Sequence, residues 1–242
     1  MQTLLGYNGI HKRLSINLSK IKYNKITIIQ KYVIPILMGG RDIIARSPSG
    51  LAGSGKTTAI VISTLNCLLK NLTAINSDGY HSDPSAVFIV PTKQRVIHIY
   101  NVISRLSEKT PIKYGPLFDI KSIPNQKRII QNGVHIVIAT PESLFGFVNR
   151  GWITFTALQI LVLDEVDCMF EMGFKPEIEF ILNNQTMVSK DKRTTAVFSS
   201  TMTNSVKQLA MIYQKPDYVS IDMEEIIESS RPSTTLDIFN RR

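Results

Sequence analysis

The chain has 242 residues and a formal net charge of +9, with 43% hydrophobic and 19% charged residues. That length suits one large α/β domain, the apolar share excludes wholesale disorder, and no apolar run reaches the roughly 18–20 residues that span a bilayer. The basic balance favours polyanionic partners, and a solvated basic face accounts for it equally well.

In chain order, residues 1–10 do not read as a secretory signal, because Gly6, Asn8 and Gly9 interrupt them. The first strand expected is 42–46. Directly after it comes Gly50-Leu51-Ala52-Gly53-Ser54-Gly55-Lys56-Thr57, which fits the phosphate-loop pattern G-x-x-x-x-G-K-[ST] without a mismatch. Glycines there let successive N–H groups point at phosphate oxygens. A helix over 57–70 then adds the positive end of its dipole. In such a loop Lys56 reaches the β- and γ-phosphates and the Thr57 hydroxyl ligates Mg²⁺. Pro48-Ser49-Gly50 ahead of Gly53 makes this loop about three residues longer than is usual for its type.

Residues 71–85 are polar and carry Asp78-Gly79 and Pro84, which reads as a surface loop. Strands are expected at 86–90, 135–139, 160–163, 195–199 and 218–221, with helices at 94–106, 177–182 and 204–213. Short, continuously apolar strands alternating with helices imply an open, mostly parallel sheet covered on both faces. Ligands of such sheets bind beyond the carboxyl ends of the strands.

The strand at 160–163 runs into Asp164-Glu165-Val166-Asp167. Opposite a phosphate loop, Asp164 suits Mg²⁺ binding and Glu165 suits orienting an attacking water. Alternation along the strand is expected to point the two carboxylates to different sides. Ser199-Ser200-Thr201 ends a later strand, and Thr201 or Thr203 is a candidate cap for the helix at 204. Cys67 and Cys168 lack metal-ligand spacing and read as reduced core thiols of an intracellular protein.

Taken together, these segments resemble the first domain of the DEAD-box RNA helicases. Asp164-Glu165-Val166-Asp167 is similar to that family's Asp-Glu-Ala-Asp motif, and Ser199-Ser200-Thr201 to its Ser-Ala-Thr motif. Residues 23–30 resemble its Q motif, keeping Thr27 and Gln30 but with Ile26 and Ile28 where prolines are usual. Pro91-Thr92-Lys93-Gln94 resembles its Pro-Thr-Arg-Glu motif, and Thr140-Pro141-Glu142-Ser143 its Thr-Pro-Gly-Arg motif.

The resemblance implies a single RecA-like three-layer α/β domain over 1–231, with 232–242 beginning a linker or tail. It implies ATP and Mg²⁺ as ligands, Lys56, Asp164 and Glu165 as catalytic groups, and Thr57 and Asp164 at the metal. Tyr7, Thr27, Gln30, Gly53, Ser54, Gly55 and Thr58 would complete the nucleotide site. Asp167, Ser199 and Thr201 would couple it to interdomain motion. Pro91, Thr92, Lys93, Gly115, Thr140 and Pro141 would hold the RNA backbone.

Three departures bear on that last group. Ser143 stands where the usual Arg makes a bidentate phosphate contact, and Pro116 follows Gly115 where a second glycine is usual. RNA contact is then expected to shift toward Lys93, Arg95 and other basic residues. The implied partners are RNA and a second RecA-like domain that fits nowhere after Pro232, with the protein acting as a monomer in nucleus or cytoplasm, away from membranes. The competing reading is a catalytically weak helicase-like module that binds RNA or protein.

Overall fold

A computed structural model of the protein describes residues 9–21, 26–47, 54–71, 83–118 and 123–229. Tyr7, Gly53, most of the expected loop at 71–85 and the tail from Pro232 lie outside them.

Seven strands form one sheet, and every pairing is parallel. They are β1 (Ile43–Arg46), β2 (Ala86–Ile89), β3 (Tyr114–Leu117), β4 (Ile136–Ala139), β5 (Ile160–Asp164), β6 (Thr194–Ser199) and β7 (Val219–Asp222). Their order across the sheet is β3-β4-β2-β5-β6-β1-β7. Among the described residues ten α-helices flank it. α1 (Lys12–Lys20), α2 (Ile28–Met38), α3 (Lys56–Lys70), α4 (Lys93–Leu106) and α10 (Met223–Ser229) lie on one face. α5 (Ile123–Gln131), α6 (Pro141–Asn149), α7 (Val166–Glu171), α8 (Lys175–Leu182) and α9 (Asn204–Tyr213) lie on the other.

The three layers follow from the period of two along each strand. Ile136 and Ile138 of β4, Ile160 and Val162 of β5, and Ala196 and Phe198 of β6 face the first group of helices. Val137, Leu161, Leu163 and Val197 face the second. With both faces buried, β2, β4 and β5 up to Leu163 are apolar at every position, which is why they stand out in the sequence.

β3 does not stand out, because Tyr114-Gly115-Pro116-Leu117 reads as a turn. Among the described residues it is an edge strand bonded only to β4, where a proline without an N–H is tolerated. At the amino-terminal end of the sheet, Asp42 joins β6 to the turn that precedes β7. Its buried carboxylate accepts from Thr195 N at 2.8 Å and from Lys215 N at 2.9 Å. Both cysteines are unpaired and half-buried, and burial pushes both thiols up in pKa.

Candidate functional site

Parallel strands place all seven carboxyl ends on one edge, and the segments singled out in the sequence follow those ends. β1 leads toward Ser54 and Gly55, β2 to Pro91 and Thr92, and β4 to Thr140, while β5 closes on Asp164 and β6 on Ser199. The register aligns them: Arg46 pairs with Ser199, and Asp164 with Phe198.

Strand parity turns Asp164 to the side of Ile160 and Val162, the side covered by α3 and α4. The first turns of those helices supply Lys56 and Arg95. Lys56 Nζ stands 2.7 Å from Asp164 Oδ1, and Arg95 Nη2 stands 2.7 Å from Asp164 Oδ2. Asp164 is 1% exposed. The two cations offset the desolvation cost of burying this carboxylate. Arg95 Nε also lies 3.0 Å from Glu165 Oε1, as an ion pair whose N–H is not aligned for a hydrogen bond.

Two expectations are corrected here. Asp164 and Glu165 do not part to different sides, because the strand ends at Asp164. Glu165 takes a left-handed backbone, φ 60° and ψ 50°, before α7 begins. Both carboxylates thus reach one guanidinium. That conformation costs a non-glycine residue about 1–2 kcal/mol. Arg95, expected among the RNA-facing cations, instead faces the acid pair. Its role was hidden in the sequence because β2 and β5 are neighbours in the sheet but far apart in the chain.

The phosphate-loop end of the site is set by Gly55, whose φ is +84°. A Cβ there would fall 2.2 Å from Gln30 Nε2 and 2.8 Å from Thr27 Oγ1. Gln30 Nε2 donates to Gly55 O at 3.1 Å. Its Oε1 accepts from Thr27 N at 3.0 Å, and Thr27 Oγ1 accepts from Gln30 N at 3.3 Å. This is a capping box that opens α2. Its T-x-x-Q pattern is readable in the sequence and was the available signal for that helix. Gln30 therefore ties α2 to the loop and is fully buried.

Lys56, Thr57 and Thr58 form the half-buried first turn of α3, where backbone N–H groups lack helical partners. Ser54 Oγ accepts from Lys56 N at 3.4 Å.

On the other side of Glu165, Asp167 gathers the end of β6. Its Oδ2 accepts from Thr201 N and Thr201 Oγ1, each at 2.9 Å, from Ser200 N at 3.1 Å and from Ser200 Oγ. Ser199 Oγ accepts from Asp167 N at 3.3 Å. Burial alone would raise the Asp167 pKa. The hydroxyls of Ser200, Thr201 and Ser199 and the Cys168 N–H outweigh it and hold the carboxyl at about 2. Ser200, between the expected Ser199 and Thr201, supplies two of these bonds. Thr203, not Thr201, caps α9 by accepting from Val206 N.

Of the residues expected at RNA, Thr92 caps α4 by accepting from Arg95 N at 3.3 Å, and Thr140 precedes Pro141 at the start of α6. Lys93 is exposed, its Nζ 4.9 Å from the centre of the Phe118 ring. Gly115 is buried under α5, where a Cβ would come 2.8 Å from Ile129 Cγ2. The edge thus presents helix N-termini and one lysine, with Ser143 half-buried in the first turn of α6.

The donor set fits a magnesium ion. Among the described residues no group of three or more His, Cys, Asp or Glu could hold a metal. Mg²⁺ characteristically takes one or two protein oxygens and completes its shell with phosphate and water. Asp164 and Thr57 are oxygen donors of that kind.

Comparison with known proteins agrees with this geometry. The sequence profile described as DEAD/DEAH box helicase matches residues 27–209. A probable ATP-dependent RNA helicase, vasa-like, of Penaeus vannamei is 34% identical over 81% of this chain. The probable ATP-dependent RNA helicase DDX4 of Homo sapiens is 30% identical over 88% of it. The chain spans 28% and 29% of those two proteins. The crystal structure of a DEAD box protein from Methanococcus jannaschii superposes with a TM-score of 0.76 at 27% identity, over 92% of this chain and 56% of that one. A parallel sheet with Lys56 on Asp164 at its carboxyl edge and a matching profile over most of its length together place the chain in the DEAD/DEAH box helicase family.

Proposed function

We propose that this chain is the nucleotide-binding half of an ATP-dependent RNA helicase. The observation that carries the reading is Lys56 at the N-terminus of α3, 2.7 Å from the buried Asp164 at the carboxyl end of β5.

In this reading the N–H groups of the first turn of α3 and the Lys56 ammonium bind the phosphates. Thr57 and Asp164 hold Mg²⁺, which would neutralise charge on the phosphate oxygens. Glu165, a third exposed and paired with Arg95, orients the attacking water. Thr27, Gln30 and Tyr7 would recognise the adenine. Asp167, through Ser199, Ser200 and Thr201, conveys the state of the site to the sheet edge. Thr92, Lys93, Thr140 and Pro141 offer helix N-termini and charge to RNA phosphates, with Gly115 nearby in β3.

A second RecA-like domain supplies the remaining half of the RNA groove and the arginine fingers, and the assembly works as a monomer in nucleus or cytoplasm. The test is turnover by this chain joined to a second RecA-like domain at its carboxyl end. ATP hydrolysis stimulated by RNA is expected, and hydrolysis indifferent to RNA would contradict the helicase reading.

Ser143 in place of an arginine gives a second reading some support: a helicase-shaped binding module with weak catalysis. It requires that the joined protein bind RNA while turning over no ATP.

A further inference from the structure

Two cations, Lys56 and Arg95, face two carboxylates, Asp164 and Glu165, and the contacts are unevenly shared. Lys56 touches Asp164 alone, whereas Arg95 contacts both acids. Thr92 fixes the backbone of Arg95 in the first turn of α4, so the side chain is the part free to move. Its side chain is 26% exposed against 12% for Lys56, which leaves the guanidinium a path to water.

We propose that Arg95 is a resident counter-ion of the acid pair, which a divalent cation must displace from Asp164 and Glu165, so that this arginine sets the metal requirement of the site. The inference rests on the reading of Asp164 as a metal ligand.

The physical case is one of competition for the same lone pairs. Asp164 Oδ2 is the oxygen that Lys56 leaves available, and Arg95 Nη2 occupies it at 2.7 Å. A guanidinium and a divalent cation cannot share that oxygen at contact distance, because their charges repel and their volumes overlap. Arg95 also differs from Lys56 in kind. A planar fork spans two carboxylates, whereas an ammonium is a point charge. With Arg95 in place the four side chains sum to zero charge, and the site tolerates polyphosphate without metal. Without Arg95 the pair is left net negative, with one buried oxygen unpaired. That arrangement attracts a divalent cation and repels metal-free nucleotide. Arg95 thus acts on the metal by competing for Asp164 and Glu165 and is not a catalytic residue.

The test uses Mn²⁺ as the probe ion. Free Mn²⁺ is followed by electron paramagnetic resonance in the absence of nucleotide, and ADP binding is measured by calorimetry with Mg²⁺ and with EDTA. Arg95→Leu is expected to bind Mn²⁺ about tenfold more tightly, the worth of one charge-assisted hydrogen bond. Its ratio of ADP affinity with Mg²⁺ to that with EDTA is expected to rise by about the same factor. Arg95→Lys, which keeps the charge but not the fork, is expected to fall between the parent and Arg95→Leu. If Arg95→Leu does not fold, as judged by circular dichroism, Arg95→Lys carries the same comparison.

Unchanged Mn²⁺ affinity in a folded variant, with only a lower melting temperature, overturns the proposal. ADP binding with unaltered metal dependence overturns it too, while leaving the nucleotide reading intact. If neither protein binds ADP, the nucleotide reading fails, and the Mn²⁺ comparison alone decides the role of Arg95.

Discussion

Asp164, Glu165 and Asp167 are three carboxylates within four residues, and the structure gives each a different environment. Asp164 is buried between two cations, Glu165 leans out on a left-handed turn, and Asp167 accepts from the end of β6. Glu165→Gln keeps the shape of the side chain and removes its charge. It is expected to leave ADP binding intact and to abolish hydrolysis wherever the parent hydrolyses ATP; unchanged turnover would remove Glu165 from the chemistry. Asp167 makes a prediction about pH. Its folded-state pKa of about 2 lies below the ordinary value of 3.8. The stability it confers is therefore full above that ordinary value and is lost as pH falls through about 2. Denaturant melts should show Asp167→Asn less stable than the parent at neutral pH, with the gap closing across that acid window. A gap independent of pH would mean that the carboxylate charge is not what stabilises the end of β6. The three acids were legible in the sequence because an apolar strand ran directly into them. Arg95 was not, since its contact needs β2 beside β5, an adjacency that no local pattern encodes.

Elements were legible where burial is complete. The central strands are mostly apolar runs, and their expected bounds fall within about a residue of those observed. α2 has apolar residues on nearly every side and a proline inside it, which obscures the helical period, although its capping box was available as a signal. α7 has six residues, too short for a period to register. β3 was masked by Gly115 and Pro116, each of which has a packing or edge-strand explanation here. Gly115→Ala should drive a methyl into Ile129 and cost about 1–3 kcal/mol in denaturant unfolding. An unaffected variant would show that α5 does not press on this strand. At the amino-terminal side of the sheet, Asp42 satisfies Thr195 of β6 and Lys215 in the turn before β7. Asp42→Ala strands the Thr195 and Lys215 N–H groups and should cost about 3 kcal/mol or more.

At the scale of the molecule, seven parallel strands bring segments from Thr27 to Thr201 onto a single edge, and it is this convergence that makes a site of them. The basic charge, indecisive in the sequence, gains meaning only where Lys56 and Arg95 meet buried acid. The chain spans under a third of the helicases it resembles. Without a second domain, turnover by the chain alone is expected to be lower than that of the joined protein by a factor on the order of 10³–10⁵, the usual worth of an arginine finger. Robust RNA-stimulated hydrolysis by the 242-residue chain would contradict that division of labour. In the function proposed, the carboxyl edge binds an adenine nucleotide through Lys56 opposite Asp164. Calorimetry of Mg²⁺–ADP binding by the parent and by Lys56→Ala tests it most directly. Binding by the parent and a loss of at least about tenfold in the variant is the expected result. Equal affinity in the two proteins would contradict it.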